Sequence, residues 1–223
     1  MYRVMLLLVA LGALVITSTK PAQAVDVYLF RGAGDFSFVQ KSLHFSRGLD
    51  KMENLLNATG IYARITRWEN TATIYREISK RRPQSVAFIG HSMGAFAAMS
   101  MASKMKTLGV RVAYVGLIDI PGPIGAVSSN VEVAENFYHA FPVYGILPRP
   151  SSHKGIIANH YVFGQIHISM DDSSRIKNAM ISAIWQADER DMRRQYTRSQ
   201  NQKKGVNGGI DKTITASING KAN

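Results

Sequence analysis

Cysteine is absent from this 223-residue chain. That excludes disulfide bonds, a thiol nucleophile and any thiolate-held metal. The six histidines are scattered, with no H-x-x-x-H or H-E-x-x-H pair on one helical face, so a metal centre is not expected either. Phosphate cradles are missing as well. Gly32-Ala33-Gly34 is followed by Ser37 where a dinucleotide fingerprint needs its third glycine, and no Gly-Lys-Ser/Thr follows. The expected cofactor set is therefore none. Acidic residues are few, 15 against 27 basic ones, which leaves a formal net charge of +12 at pH 7. Such a charge suits weak contact with anionic surfaces through a basic face. No basic stretch carries interleaved aromatics, so nucleic acid is not expected as a partner. Internal repeats are absent too.

Long apolar runs are also scarce, with one exception at the start. Residues 4–16 are almost unbroken apolar, Arg3 precedes them, and Ala22-Gln23-Ala24 follows. A positive end, an apolar stretch too short for a comfortable membrane span and an A-x-A site read as a signal peptide. The expectation is an exported protein, periplasmic or extracellular, cleaved near Ala24; an uncleaved anchor is the alternative. The mature chain then starts at Val25. Loss of Arg3 and Lys20 lowers its formal charge from +12 to +10. Residues 198–223 carry Arg198, Lys203, Lys204, Lys212 and Lys221 against Asp211. Their Asn/Gln/Lys/Gly-rich composition reads as a basic, disordered tail. Residues 25–197 remain as one domain, long enough to bury a substantial core.

Along that domain, apolar strands alternate with helical patterns. Strands are expected at 25–30, 61–68, 85–89, 110–118 and 133–138, and residues 159–166 lead to His167. A helix over 46–59 has Ser46 as its cap, Leu49, Met52, Leu55 and Leu56 on one face, and Gly60 as its stop. Others follow Asn70, run over 93–108, and span 173–197 with Ile176, Met180, Ile184 and Trp185 turned inward. Residues 140–158, rich in Pro, Gly and Ser, read as a loop excursion. This alternation implies a three-layer α/β/α sandwich with a mostly parallel sheet.

The densest chemistry lies at Gly90-His91-Ser92-Met93-Gly94. An apolar strand pattern precedes it and a small-residue helix follows. Strand, sharp turn with a serine, helix: that setting makes G-x-S-x-G a nucleophile elbow. The turn strains the serine backbone, and the flanking glycines let strand and helix approach. A serine hydroxyl needs a base to take its proton and a carboxylate to orient that base. Both should sit at the carboxyl ends of parallel strands. Asp119 directly follows an apolar run and precedes Pro121-Gly122-Pro123, which makes it the candidate acid. Asp171 and Asp172 are rivals, better placed as caps of the last helix. His167, just before that helix, is the candidate base, with His160, His139 and His153 as competitors. His153, beside Lys154, is expected to be solvated, and His91 to shape the site rather than act as base. The developing oxyanion needs donors. The Met93 backbone N–H is one, and the loop after the first strand offers Ala33, between two glycines.

The elbow, with Asp119 and His167 after it in that order, resembles the α/β-hydrolase superfamily, and the G-H-S-M-G form resembles its lipase, esterase and thioesterase branches. The resemblance spans roughly residues 25–197. It implies Ser92 as nucleophile, His167 as base, Asp119 as orienting acid, and Met93 and Ala33 as oxyanion donors. The chain departs from the pattern in three ways. The first hairpin is missing, Arg31-Gly32 replaces the usual His-Gly, and the acid follows the strand immediately after the elbow unit. The expected function is an exported serine hydrolase that cleaves a small acyl or lipid-like ester or thioester. An acyltransferase on the same residues and a non-catalytic envelope-binding protein are the alternatives.

Overall fold

A strand buried on both faces needs an unbroken apolar run, and three segments supply one. A computed structural model describes residues 24–33, 46–139 and 145–219, with side chains to residue 202. In it the strands β1 (Val25–Arg31), β3 (Ser85–His91) and β4 (Arg111–Ile118) are almost wholly buried and lie side by side. The strands β2 (Ala63–Arg67) and β6 (Ile156–Tyr161), at the two edges, and β5 (Val133–Tyr138), next to β6, are more exposed. The six form one sheet in the order β2-β1-β3-β4-β5-β6, and every pairing among them is parallel.

Helices cover both faces. On one, α2 (Thr71–Arg81) and α3 (Met93–Leu108) bury Ile74, Ile78, Ala98, Met101 and Met105 against Phe30, Phe88 and Val115. On the other, α1 (Arg47–Ala58) and α4 (Ser174–Asn219) bury Leu49, Met52, Leu56, Ile176, Met180 and Ile184 against Leu29, Ile89 and Tyr114. The architecture is a three-layer α/β/α sandwich. From β1 the chain steps outward to β2 and then returns past β1 to β3. The order therefore reverses between β1 and β3, and the crevice above such a switch point is where open α/β sheets bind ligands.

Several local expectations change. Leu55 is 44% exposed and Trp185 is 45% exposed. Each sits one residue, about 100° of helical turn, from an inward neighbour, Leu56 and Ile184. The last helix does not stop at 197 but runs to Asn219, with no proline in its path; the expected tail 198–223 is thus helical backbone as far as that residue. The strand β6 begins at Ile156, inside the stretch 140–158 that reads as a loop excursion, and precedes the segment that leads to His167. His153 is buried rather than solvated: the backbone at Gly155 packs against the carbonyls of Val131 and Glu132 and folds the imidazole beneath the turn. The expected signal segment up to residue 23 and Gly34 lie outside the described residues.

Candidate active site

The elbow forms because glycine stands on both sides of Ser92. A Cβ on Gly90 would overlap the Gly94 carbonyl, and one on Gly94 would overlap the Phe30 carbonyl of β1. Only hydrogen at these positions lets α3 start directly against β3 and β1. Ser92 itself has φ 55° and ψ −123°, a region that costs a non-glycine residue about 1–3 kcal/mol and persists only where its surroundings enforce it. One enforcing contact is its own N–H, which donates to the Ile118 carbonyl at 2.9 Å. That bond ties the elbow to the end of β4, where Asp119 follows.

Asp119 also has a left-handed backbone, φ 49°, which aspartate tolerates better than most residues. Its N–H donates to the Phe137 carbonyl at 2.8 Å, extending the β4–β5 pairing by one step. Its carboxylate accepts from two imidazoles. His167 Nδ1 lies 2.5 Å from Oδ2 and His139 Nδ1 lies 2.7 Å from Oδ1. Burial pushes the carboxyl upward, but the two histidine hydrogen bonds outweigh it and hold Asp119 below the usual carboxylate range. On its far side His167 Nε2 lies 2.9 Å from Ser92 Oγ. Ser92, His167 and Asp119 thus form one hydrogen-bonded chain at the carboxyl ends of the strands. No hydrogen bond joins Ser92 Oγ to any other histidine among the described residues.

The competing side chains fall elsewhere. His160 bonds Glu135 Oε1 at 3.1 Å, stacks on Phe137, and lines a separate pocket of about 190 Å³ with Arg175. Asp172 pairs with Lys51 and Lys177, both at 2.6 Å. Asp171 caps a helix, but not the one expected. Its Oδ2 accepts from Gly48 N–H at 2.7 Å, at the start of α1, where a Cβ on Gly48 would overlap the Asp171 backbone. Ser46 is consequently released from capping.

Sequence reasoning missed what Ser46 does instead. Its Oγ accepts from Gly32 N–H at 3.3 Å and lies 3.0 Å from His91 Nδ1. His91 is fully buried, and desolvation, with His167 nearby, lowers its pKa to about 4. The neutral ring has one N–H, and its Nε2 lies 2.9 Å from the His167 carbonyl. So Nε2–H donates there and Nδ1 accepts from the Ser46 hydroxyl. His91 therefore links the loop after β1 to the backbone of His167. Because Ser46 takes the Gly32 N–H, Ala33 is the remaining donor among the described residues of this loop. Met93, as the first residue of α3, has an N–H with no intrahelical acceptor. The second histidine on Asp119 was legible only as a rival base, since strand order alone does not say which oxygen it meets.

Among known proteins, a family model described as thioesterase domain matches residues 60–154, less than half of the chain. A search of curated proteins gives no match. Among solved structures, the product of gene lin2722 from Listeria innocua is similar with a TM-score of 0.51 at 13% identity, over 71% of this chain and 92% of that one. The thioesterase domain SrfTE, which cyclises the lipopeptide antibiotic surfactin, gives a TM-score of 0.45 at 14% identity, over 71% of this chain and 90% of that one. The type II thioesterase BorB from the borrelidin biosynthetic cluster gives 0.46 at 12% identity, over 73% and 94%. Likeness at these identities concerns the fold alone, and the two scores under 0.5 add no argument. The chain shares its three-layer α/β/α fold with the lin2722 product, and residues 60–154 resemble the thioesterase-domain family.

Proposed function

We propose that this protein is an exported serine hydrolase that cleaves an ester or thioester through an acyl-enzyme on Ser92. The observation that carries the reading is the hydrogen-bonded chain from Ser92 Oγ through His167 to Asp119, at 2.9 and 2.5 Å. His167 Nε2 accepts the hydroxyl proton as Oγ attacks the acyl carbon, then gives it to the leaving alcohol or thiol. Asp119, bonded to Nδ1–H, selects the tautomer that presents Nε2 to the serine and stabilises the imidazolium. The Met93 and Ala33 N–H groups receive the oxyanion. Water, deprotonated by His167, then releases the acid. Exposed Phe163, Ile166 and Ile168 surround His167 in sequence, and apolar side chains beside the base suit a lipase-like, acyl-bearing substrate over a sugar. Export rests on the segment before Val25, and contact with an anionic surface on the excess of basic residues.

The experiment treats the secreted protein with a fluorophosphonate and reads its intact mass beside Ser92→Ala. A single adduct on the parent and none on the variant is the expected result, followed by turnover of p-nitrophenyl esters or acyl thioesters. A folded parent that takes no adduct overturns the reading. The same spectrum gives the first residue, expected to be Val25; a mass that retains residues 1–24 rejects cleavage there.

A further inference from the structure

A buried carboxylate has two oxygens, and each needs a donor if the group is to stay ionised and point one way. Asp119 is 6% exposed. Among the described residues, its side chain receives two donors, and both are imidazoles: His167 on Oδ2 and His139 on Oδ1. Only His167 reaches Ser92. His139 directly follows β5, and β5 is already fastened to Asp119 through the Phe137 carbonyl. The backbone bond fixes where Asp119 begins; the His139 bond fixes how its carboxylate is turned.

Resting on the hydrolase reading above, we infer that His139 is a positioning residue, which holds the Asp119 carboxylate so that its other oxygen meets His167 Nδ1–H throughout the reaction. Without the His139 donor, the carboxylate is free to rotate about its Cβ–Cγ bond and to take water on the vacated oxygen. The bond to His167 then lengthens or is shared, and the imidazolium formed during attack loses stabilisation. The loss falls on the transition state, where charge develops, and not on substrate binding, because His139 makes no bond to Ser92. That predicts a change in kcat with KM preserved.

Two substitutions separate the donor from the ring. His139→Phe keeps an aromatic ring and removes the N–H. His139→Asn removes the ring and places an amide N–H near the position of Nδ1. With p-nitrophenyl butyrate as the probe, His139→Phe should lower kcat about 10- to 100-fold, as loss of a charge-assisted hydrogen bond implies, with KM within about twofold. His139→Asn should recover most of that rate. Proton NMR gives a readout independent of turnover. The parent should show two far-downfield Nδ1–H resonances; His139→Phe should lose one and shift the other, that of His167. Should the Phe ring prevent folding, seen as loss of the thermal transition, His139→Ala takes its place with the same expectations. Equal rates for Phe and parent, Asn falling as far as Phe, or an unmoved His167 resonance overturns the role. A parent that takes a fluorophosphonate on Ser92 while the Phe variant turns over normally removes this inference alone. A parent that takes no label removes the hydrolase reading and this role together.

Discussion

At the residue scale, a carboxylate can orient an imidazole only while it keeps its charge, and burial works against that. Asp119 resolves the conflict with two histidine donors, whose hydrogen bonds outweigh desolvation and hold its pKa below the usual range. Asparagine would keep the shape but lose the charge, and its amide N–H would face an imidazole N–H or force the wrong tautomer. Asp119→Asn should therefore lower kcat by about 10⁴-fold at neutral pH, with fluorophosphonate labelling slowed to match; labelling at the parent's rate would remove Asp119 from the mechanism. The elbow glycines bear a different kind of load. A methyl on Gly94 would overlap the Phe30 carbonyl, and backbone cannot swing aside as a flexible side chain can. Gly94→Ala should destabilise by about 1–3 kcal/mol and also displace Ser92, so denaturant midpoint and labelling rate should fall together. A midpoint unchanged from the parent's would mean that α3 does not press on β1.

At the scale of elements, a buried carboxylate adds to the apolar packing that holds α4 to the sheet. Asp191 is fully buried; it accepts from Ser85 at the start of β3 and from Arg194 at 3.0 Å, and it forms an ion pair with Arg111 at the start of β4. Asp191→Ala removes an acceptor from Ser85 and an ion-pair partner from Arg111; Arg111 is partly exposed and keeps Glu132 at 2.9 Å, so the cost is about 1–3 kcal/mol. Chemical denaturation should show that loss, while the Ser92 end of the sheet, at the opposite ends of the strands, keeps its labelling rate in the folded protein. What was legible in the sequence divides along the same line between local and distant contacts. β3, the elbow and α3 could be read because a strand, a glycine-flanked serine and a small-residue helix are contiguous. Asp119 and His167 could be read because strand ends gather at one edge of a parallel sheet. Ser46 was misread because local capping logic cannot see that Asp171, 123 residues beyond Gly48, takes over the cap and frees the hydroxyl for His91. The last helix was ended too early because composition signals a weak preference and not a stop; nothing in 174–219 forbids the next helical turn.

At the scale of the whole molecule, the pH response of stability combines two buried groups that oppose one another. His91 and Asp171 lie 3.8 Å apart, both essentially without solvent contact. Desolvation lowers His91 from 6.5 to about 4, and desolvation raises Asp171 from 3.8 to about 6. Between pH 6.5 and 4 the unfolded chain binds the His91 proton and the folded one does not, so stability falls as pH falls through that window. Between pH 6 and 3.8 the folded chain binds the Asp171 proton and the unfolded one does not, so that contribution rises as pH falls. The two slopes largely cancel from pH 6 to 4.5, above the range in which the depressed Asp119 and Asp172 titrate. Substitution should uncover each slope. Asp171→Asn, which keeps an acceptor for the Gly48 N–H, should lose about 2 kcal/mol more than the parent on going from pH 6 to 4.5. His91→Gln should move the other way and gain stability, relative to the parent, over the same interval. Denaturant unfolding of the three proteins at both pH values decides the matter. Parallel changes in all three would mean that neither buried group binds protons differently in the folded and unfolded states. Divergence in opposite directions would mean that the contacts joining the β1 loop, α1 and the His167 backbone are held by a neutral imidazole beside a carboxyl that prefers its proton.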